Sequence, residues 1–576
     1  MNWCSRLRVV ALSLLALAGT GLVLLGFHQL FLPVVGWLFP ALQTPFYDLG
    51  VYGPYRAQSY VSFNLSSPLT SHVKWDSARC GDGFVLLTPS GDSVANPGPM
   101  ILDGEGNLVW MSDQFGAVMN LKSQQYQGKN YLTFWGGHRD ASSGQGAYYM
   151  LDETYQISHQ VHVVGDNMHG DLHEFKITEN NTALVTSYKK TVADLSGMGR
   201  PVDGWITDSI FQEIDIATGD LLFEWRASDH FDAGESHMTN PFAGYKEASP
   251  FDFFHINSID KDAAGDYLIS SRHLHLIATV SHETGEILWA LGGERNQFKD
   301  LSDGAATDFK WQHDARWVSE AEGILTLFDN EEAGILHIEA SHSKGMMLQL
   351  DVANRTVKLL HSYVSMQGTR APSQGSLQVG PDGGLVVIGW GHSPAYSEFE
   401  VDGSLVCETH FGASWLDFWG RIVSYRTQKV QSWVGKPDYP PQAQMKHSSV
   451  YASWNGATEI QSWELQGATD GDKFESLDVV KKERNFESVF ALDDSWKYTR
   501  YRVAGRDQAG NVLGYTAEFE KVTEHRMLEI ILWLIPLVLV LGGAHFLCMR
   551  YVRSRGWPSL GTPRWKYSPL KMQSLV

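Results

Sequence analysis

Six times along this chain, two apolar residues and a small polar one lead into a short turn and out into a second apolar run. The segments read ILDGEGNLVW from Ile101, MLDETYQISHQV from Met150, EIDIATGDLLFEW from Glu213, TVSHETGEILWAL from Thr279, QLDVANRTVKLL from Gln349 and EVDGSLVCET from Glu400. The polar residue falls at 103, 152, 215, 281, 351 and 402, Asp every time except Ser281. Turn residues between two alternating runs are hairpin chemistry. The spacings of 49, 63, 66, 70 and 51 residues give each repeat room for four strands and their loops. This predicts an all-β body, a six-bladed β-propeller over residues 70–415. The composition suits many short strands: 55 glycines, 20 tryptophans and only 19% charged residues in 576.

A second recurrence lies inside the repeats. The segments DLHEF (171–175), FFHINSID (253–260), WQHDARW (311–317) and PSQGSLQ (372–378) precede strands ALVTSYKK, YLISSRH, ILTLFDN and LVVIGWGH. His173 to Tyr188 is 15 residues, His255 to Arg272 is 17, His313 to Asp329 is 16, and Gln374 to Trp390 is 16. Near-constant offsets put His173, His255, His313 and Gln374 at equivalent positions of four successive repeats, which a propeller directs to its central channel. Asn257, Arg272, His273 and Arg316 are expected close by. A lone strand histidine is usually a hydrogen-bonded structural residue. Three at equivalent pore positions instead suit an oxyanion or sulfuryl group, with arginine as a bidentate grip and histidine as nucleophile or proton carrier. Metal is the competing use of three imidazoles, but the usual ligand spacing is missing. The expectation is no metal and no cofactor.

The joint set DLHEF, DSIFQEIDIATGDLLFEW, FFHINSID, YLISSRH, GEILWALGG, WQHDARW and LTLFDN is similar to the arylsulfotransferase family in its fungal, membrane-bound branch, over roughly residues 70 to 415. The resemblance implies a six-bladed propeller that moves sulfate from a phenolic sulfate ester to another hydroxyl through a pore histidine, without a nucleotide donor. It implies that His255 and His313 match two active-site histidines of the family. The family's further histidine, the sulfate carrier, has its equivalent pore position at Gln374, and His392 in GWGH is the neighbouring candidate. Arg316 and Arg272 are the candidates for the family's pore arginine. The implied partners are an aryl sulfate donor and a hydroxylated acceptor. The alternative function is a non-catalytic propeller that binds a small anion or a protein.

Two apolar runs flank this body. Val9 to Phe27 holds 19 residues without a charge behind Arg6 and Arg8, and Met527 to Met549 is followed by six Arg and Lys residues. Each is long enough to span a bilayer, and positive charge stays cytosolic. The reading is a cytosolic stretch 1–8, a signal anchor over 9–31 (a cleaved signal peptide being the other reading), a span over 527–549 and a cytosolic tail over 550–576. The body is then lumenal or extracellular, in the secretory pathway or at the cell surface. Sequons at Asn64, Asn180 and Asn354 fit that side. Cys80 and Cys407, the two body cysteines, form one disulfide or remain two buried thiols. The net charge of −20 excludes a nucleic-acid partner. Residues 416–440 read as a linker. Alternating strands over 441–522 resemble a small immunoglobulin-like or fibronectin-like sandwich, with Trp454 and Trp463 in its core.

Overall fold

The computed structural model describes residues 19–21, 24, 27–140, 143–333, 342–469, 473–493 and 496–521. The body is all-β, and its main strands form five sheets, one of eight strands, two of five and two of four, along which six units of four consecutive antiparallel strands can be followed, units two and three sharing the eight-stranded sheet. Unit two runs Val118–Tyr126, Lys129–Arg139, Gly144–Leu151, Ile157–Val161, and unit three Gly170–Ile177, Thr182–Ala193, Gly204–Asp215, Leu221–Arg226. Unit four is Ile256–Lys261, Tyr267–Ser271, Leu276–Val280, Ile287–Gly292; unit five is His313–Ser319, Ile324–Asp329, Lys344–Asp351, Thr356–Tyr363. Unit six is Ser376–Val379, Val386–Gly389, Ala395–Phe399, Leu405–His410. Unit one takes three strands from the front of the body, Phe84–Leu87, Met100–Asp103 and Leu108–Met111, and its first strand, Gln428–Val430, from behind unit six. The stretch expected as a linker, 416–440, therefore contains a strand. Val430 pairs with Phe84 and Gln428 with Leu86, so both ends of the body share one sheet.

The six hairpins of the sequence are the third and fourth strands of these units. Their shared Asp has a local cause. The carboxylates of Asp103, Asp152, Asp215 and Asp402 each accept the backbone N–H two residues on, at 2.8 to 3.0 Å, which folds the chain back without help from the sheet. Ser281 does the same through its hydroxyl, at 3.3 Å from Glu283 N.

Packing follows the same order. Among the described residues, buried apolar clusters lie between units one and two around Trp110 and Phe134, two and three around Trp135 and Phe175, and three and four around Phe211 and Tyr267. They continue between four and five around Leu291 and Leu327, and five and six around Phe328 and Trp390. A sixth joins unit six to unit one around Tyr396 and Val85. Second and third strands of the units are the most deeply buried, as in Tyr267–Ser271 and Leu276–Val280, while fourth strands such as Ile157–Val161 and Leu221–Arg226 are largely exposed. Cys80 and Cys407 are disulfide-bonded, their Cα atoms 6.3 Å apart, tying the front of the body to the last strand of unit six.

Residues 442–520 form two sheets, of three and five strands, that share one core of Val450, Phe490, Trp463 and Tyr501. Trp454 lies against that core, its indole N–H bonded to Tyr439 O at 2.7 Å. Among the described residues no helix is long and apolar enough to cross a membrane. Most of 9–31 and all of 527–549 lie outside the described residues. The sequons Asn64, Asn180 and Asn354 are exposed.

Ahead of unit one, the short helix Gln43–Asp48 is held by a buried ion pair. His410 Nδ1 lies 2.7 Å from Asp48 Oδ1, and its Nε2 3.5 Å from Glu408 Oε1. Burial alone would push this imidazole down, but the two carboxylates lift it to about 9. Its folded value is raised, so its stabilisation is whole below about pH 6.5 and lost as pH rises through about 9. His410→Gln is expected to cost up to about 3 kcal/mol at pH 6 and to flatten the fall of thermal stability between pH 6.5 and 9. Parallel pH profiles of melting temperature check this; parallel curves for both proteins would contradict it.

Candidate active site

The first strand of every unit begins at one cavity of about 130 Å³. Met119 comes from unit two, Leu172 and His173 from three, His255 from four, His313 from five, Gln374 from six, and Tyr425 from the approach to unit one's first strand. Arg272, at the end of unit four's second strand, Arg139 and Ser373 complete the lining. His173 and His255 meet edge to face with ring centres 4.7 Å apart. Backbone at His255 and Gln374 is left-handed, with φ of 56° and 66°, and the register of unit four slips between Ile256 and Ser258. Non-glycine residues hold such angles at a cost of about 1–3 kcal/mol, and they concentrate at functional sites.

Each histidine is fixed from behind. His173 Nδ1 donates to Asp171, whose carboxylate also accepts Gly144 N at 2.7 Å. His255 Nδ1 donates to Asp252 Oδ2 at 2.6 Å. His313 Nδ1 lies 2.6 Å from Asn330 Oδ1 and 3.1 Å from Trp311 O. The Asn330 amide nitrogen donates to Ala371 O and Gln374 O, so its oxygen must face His313. Both Nδ1 partners are thus acceptors, and the proton of His313 sits on Nδ1. Its Nε2 lone pair accepts only the Gln374 N–H, at 3.2 Å.

Charge follows from these contacts. Burial, then Arg272, holds His313 well below the ordinary imidazole value. Burial also lowers His255, although Asp252 opposes it. Burial would raise Asp252, but His255 and His273 outweigh it and bring that carboxyl to about 2. Arg272 comes down to about 10 through burial and stays cationic at neutral pH. Its guanidinium donates to Pro372 O at 2.8 Å, lies 3.0 Å from His273 Nε2, and leaves Nε without a partner. The side-chain oxygens of Gln374 and Tyr425 are likewise buried and unpaired. Neutral imidazoles, a fixed guanidinium and unsatisfied polar atoms around a small cavity suit one compact anion.

Under the cavity lies a knot of buried charges. Glu174 receives Lys122 Nζ at 2.6 Å and Arg426 Nη1 at 3.2 Å, and pairs with Arg316 Nη2. Arg316 Nε also donates to Asp314 at 2.9 Å, and Arg426 Nε lies 3.3 Å from the same oxygen. Burial would raise Glu174, but the three cations hold it well below the usual carboxylate range. Burial pushes Lys122 down to about 7 against the pull of Glu174. Beyond the knot a wider funnel of about 960 Å³ opens toward the far ends of the first strands.

Of the residues expected at the site, His173, His255, His313, Arg272 and Gln374 line the cavity. His273 stacks behind His255, ring centres 4.6 Å apart. Arg316 is not there: its guanidinium is consumed by Glu174, Asp314 and Ile259 O, and it faces the funnel. Asn257 is buried beneath, its side chain bound to Gln312 O at 2.6 Å. His392 is outside the lining, its Nδ1 3.5 Å from the Oγ of Ser373, which does line it. The sequence reading missed Arg139, Tyr425, Asp171, Asp252 and Asn330. The last three stand within the quoted stretches DLHEF and LTLFDN or three residues ahead of His255, where a carboxylate or amide beside a histidine is the usable signal. Asp252, His255 and His273 also offer ligand atoms within 4.8 Å of one another, but Asp252 and its backbone carbonyl already take both Nδ1 protons.

The model of the family described as Arylsulfotransferase (ASST) matches residues 122–412, half of the chain, and the chain belongs to that family. The three histidines and Arg272 fall inside the match; Met119 and Tyr425 fall outside it. No curated protein matches. Among solved structures, a protein of unknown function from Bacteroides caccae is 13% identical, covers 61% of this chain and 100% of its own, and has a TM-score of 0.35. A protein from Lactobacillus plantarum is 12% identical over 77% of this chain and 97% of its own, at 0.32. Streptogramin B lyase is 10% identical over 66% and 93%, at 0.30. Likenesses this distant bear neither on the site nor on the activity.

The knot generates a stability prediction. Glu174→Gln leaves Lys122, Arg316 and Arg426 facing Asp314 alone. Removing one partner of a buried ion cluster costs about 3–5 kcal/mol. Urea denaturation followed by tryptophan fluorescence should show a loss of that size, and a loss below about 1 kcal/mol would contradict the role given to the knot.

Proposed function

We propose that the six units are the blades of one propeller and that its cavity transfers sulfate from an aryl sulfate ester to a hydroxylated small molecule. The observation that carries this reading is the convergence of His173, His255, His313 and Arg272 on one anion-sized cavity within the family's matched region. His313 is the carrier. Burial holds it well below the ordinary imidazole value, its Nε2 holds the lone pair, and among the described residues no carboxylate touches its ring. In the first half-reaction Nε2 attacks sulfur, an N–S bond forms and the S–O bond to the phenol breaks. In the second, the acceptor oxygen takes the sulfuryl group back from His313. The phenol leaves as phenolate in the first half-reaction, and His255 and His173, each backed by a carboxylate, are placed to take the acceptor's proton in the second, from where it passes to the released phenolate. Arg272 grips the sulfuryl oxygens as charge develops. Chain topology belongs to the same proposal: anchors at 9–31 and 527–549, cytosolic ends 1–8 and 550–576, and a lumenal or extracellular body glycosylated at Asn64, Asn180 and Asn354.

Incubation of the purified protein with an aryl sulfate, followed by peptide mass spectrometry under alkaline conditions, should find sulfate on His313. His313→Ala should lose that adduct and all transfer. Arg272→Lys should lower transfer about 100-fold, since an ammonium cannot reproduce the planar fork. His392→Ala should transfer normally. An adduct on His392, or turnover that survives His313→Ala, would overturn the assignment. The absence of both turnover and adduct across a broad panel of aryl sulfates would favour an anion-binding propeller.

A further inference from the structure

Strand direction fixes the end from which each loop leaves. The histidines stand at the starts of first strands. Connections between second and third strands, and between one unit and the next, leave from that same end. Among the described residues, the six most exposed large apolar side chains are Phe242 at 84%, Trp37 at 75%, Trp419 at 73%, Trp415 at 70%, Val202 at 68% and Met366 at 64%. Five of them lie on such connections. Val202 joins the second and third strands of unit three, and Phe242 stands between units three and four. Met366 lies between units five and six, and Trp415 and Trp419 between unit six and the strand Gln428–Val430. The opposite end carries the sequons Asn180 and Asn354, and among its exposed large apolar side chains, Leu222 at 53% and Ile157 at 51% near the starts of fourth strands and Val352 at 37% in a turn are each less exposed than any of the six.

The sixth, Trp37, belongs to the helix Leu32–Leu38, and that segment is tied to the same end. Asp48 pairs with His410 at the close of unit six, and Ala413 N donates to Pro54 O at 2.9 Å. Directly ahead of this segment stand the 19 uncharged residues Val9 to Phe27. A bilayer-length apolar run that enters the body at the cavity end brings lipid to that end. Exposed tryptophans there are the interfacial anchors such a surface uses.

We propose that the end of the body holding the histidine cavity lies against the bilayer, and that the sulfate acceptor is a membrane-partitioned amphiphile presenting a hydroxyl. The substrate class rests on the transferase reading; the membrane face does not. The balance is simple: the sulfuryl group leaves the donor phenol for the acceptor oxygen, and the acceptor's proton ends on the released phenol. Exposed apolar surface of this kind is costly in water and is found where a partner or a lipid covers it. The uncharged run feeding into it makes the occupant lipid.

The full chain, with Cys4 and Cys548 replaced by serine, is labelled with an environment-sensitive fluorophore at Phe242→Cys, at Met366→Cys and, at the opposite end, at Asn354→Cys, then placed in nanodiscs. Brominated lipids should quench the first two labels severalfold and leave the third unchanged. If positions 242 and 366 are as unquenched as 354, the membrane face is wrong and the patch belongs to a protein partner. In the same nanodiscs, sulfation of a long-chain alkylphenol should exceed that of a water-soluble phenol at least tenfold. Phe242→Ser with Trp415→Ser should remove that preference while transfer to the soluble phenol persists. Equal rates on both phenols in the unsubstituted protein would overturn the acceptor class. No transfer to any phenol would overturn the transferase reading on which that class rests, while the quenching result decides the membrane face by itself.

Discussion

Everything at the centre of this protein depends on two buried carboxylates, Glu174 and Asp314. Between them they engage all six units. Glu174 belongs to unit three and takes Lys122 of unit two, Arg426 at the entry to unit one, and Ile259 N of unit four. Asp314 and Arg316 belong to unit five, and the second oxygen of Asp314 accepts Leu377 N of unit six at 3.2 Å. Buried ion clusters contribute little net stability compared with apolar packing, because desolvation offsets the Coulomb gain. What they supply is specificity. Six apolar seams hold the units side by side but are tolerant of sliding; a charge left unpaired by a slip of one residue is not.

That arrangement has a consequence for chemistry. Arg316 and Arg426 are held as cations among Glu174, Asp314 and Asp260, so the floor beneath the histidines is a closely balanced charge network. Above it, burial lowers His255 and His313, and the rings of His173, His255 and His313 are oriented through Nδ1 by Asp171, Asp252 and Asn330. Positions are therefore largely set before a ligand arrives, and the one bond that must give way for attack is the Gln374 N–H on His313 Nε2.

Much of this could be read from the amino-acid order, for a physical reason. Hairpin turns are local, so their Asp and Gly residues marked six repeats without knowledge of the fold. The offset of about 16 residues between strand start and next strand end is also local, and it brought His173, His255, His313 and Gln374 together. What depends on distant contacts was not readable. Arg316 and Arg272 are equivalent candidates in sequence, and only Glu174, 142 residues from Arg316, decides that Arg316 belongs to the knot. Unit one hides its first strand in a stretch that reads as a linker, because pairing across the whole body gives no local signal. With that strand came Tyr425 and Arg426, the cavity wall and the centre of the knot. His392 is a carrier candidate by proximity in sequence, but it sits behind Ser373 and not in the cavity's lining.

The central claim is that the histidine ring and Arg272, not the funnel beyond the knot, hold the sulfuryl group. A crystal structure of the protein soaked with an aryl sulfate tests this most directly. The account predicts tetrahedral density in the cavity, bonded to His313 Nε2 and within hydrogen-bond reach of Arg272. Density bound instead in the funnel, against Arg316 or Lys122, with the histidine cavity unchanged, would contradict it.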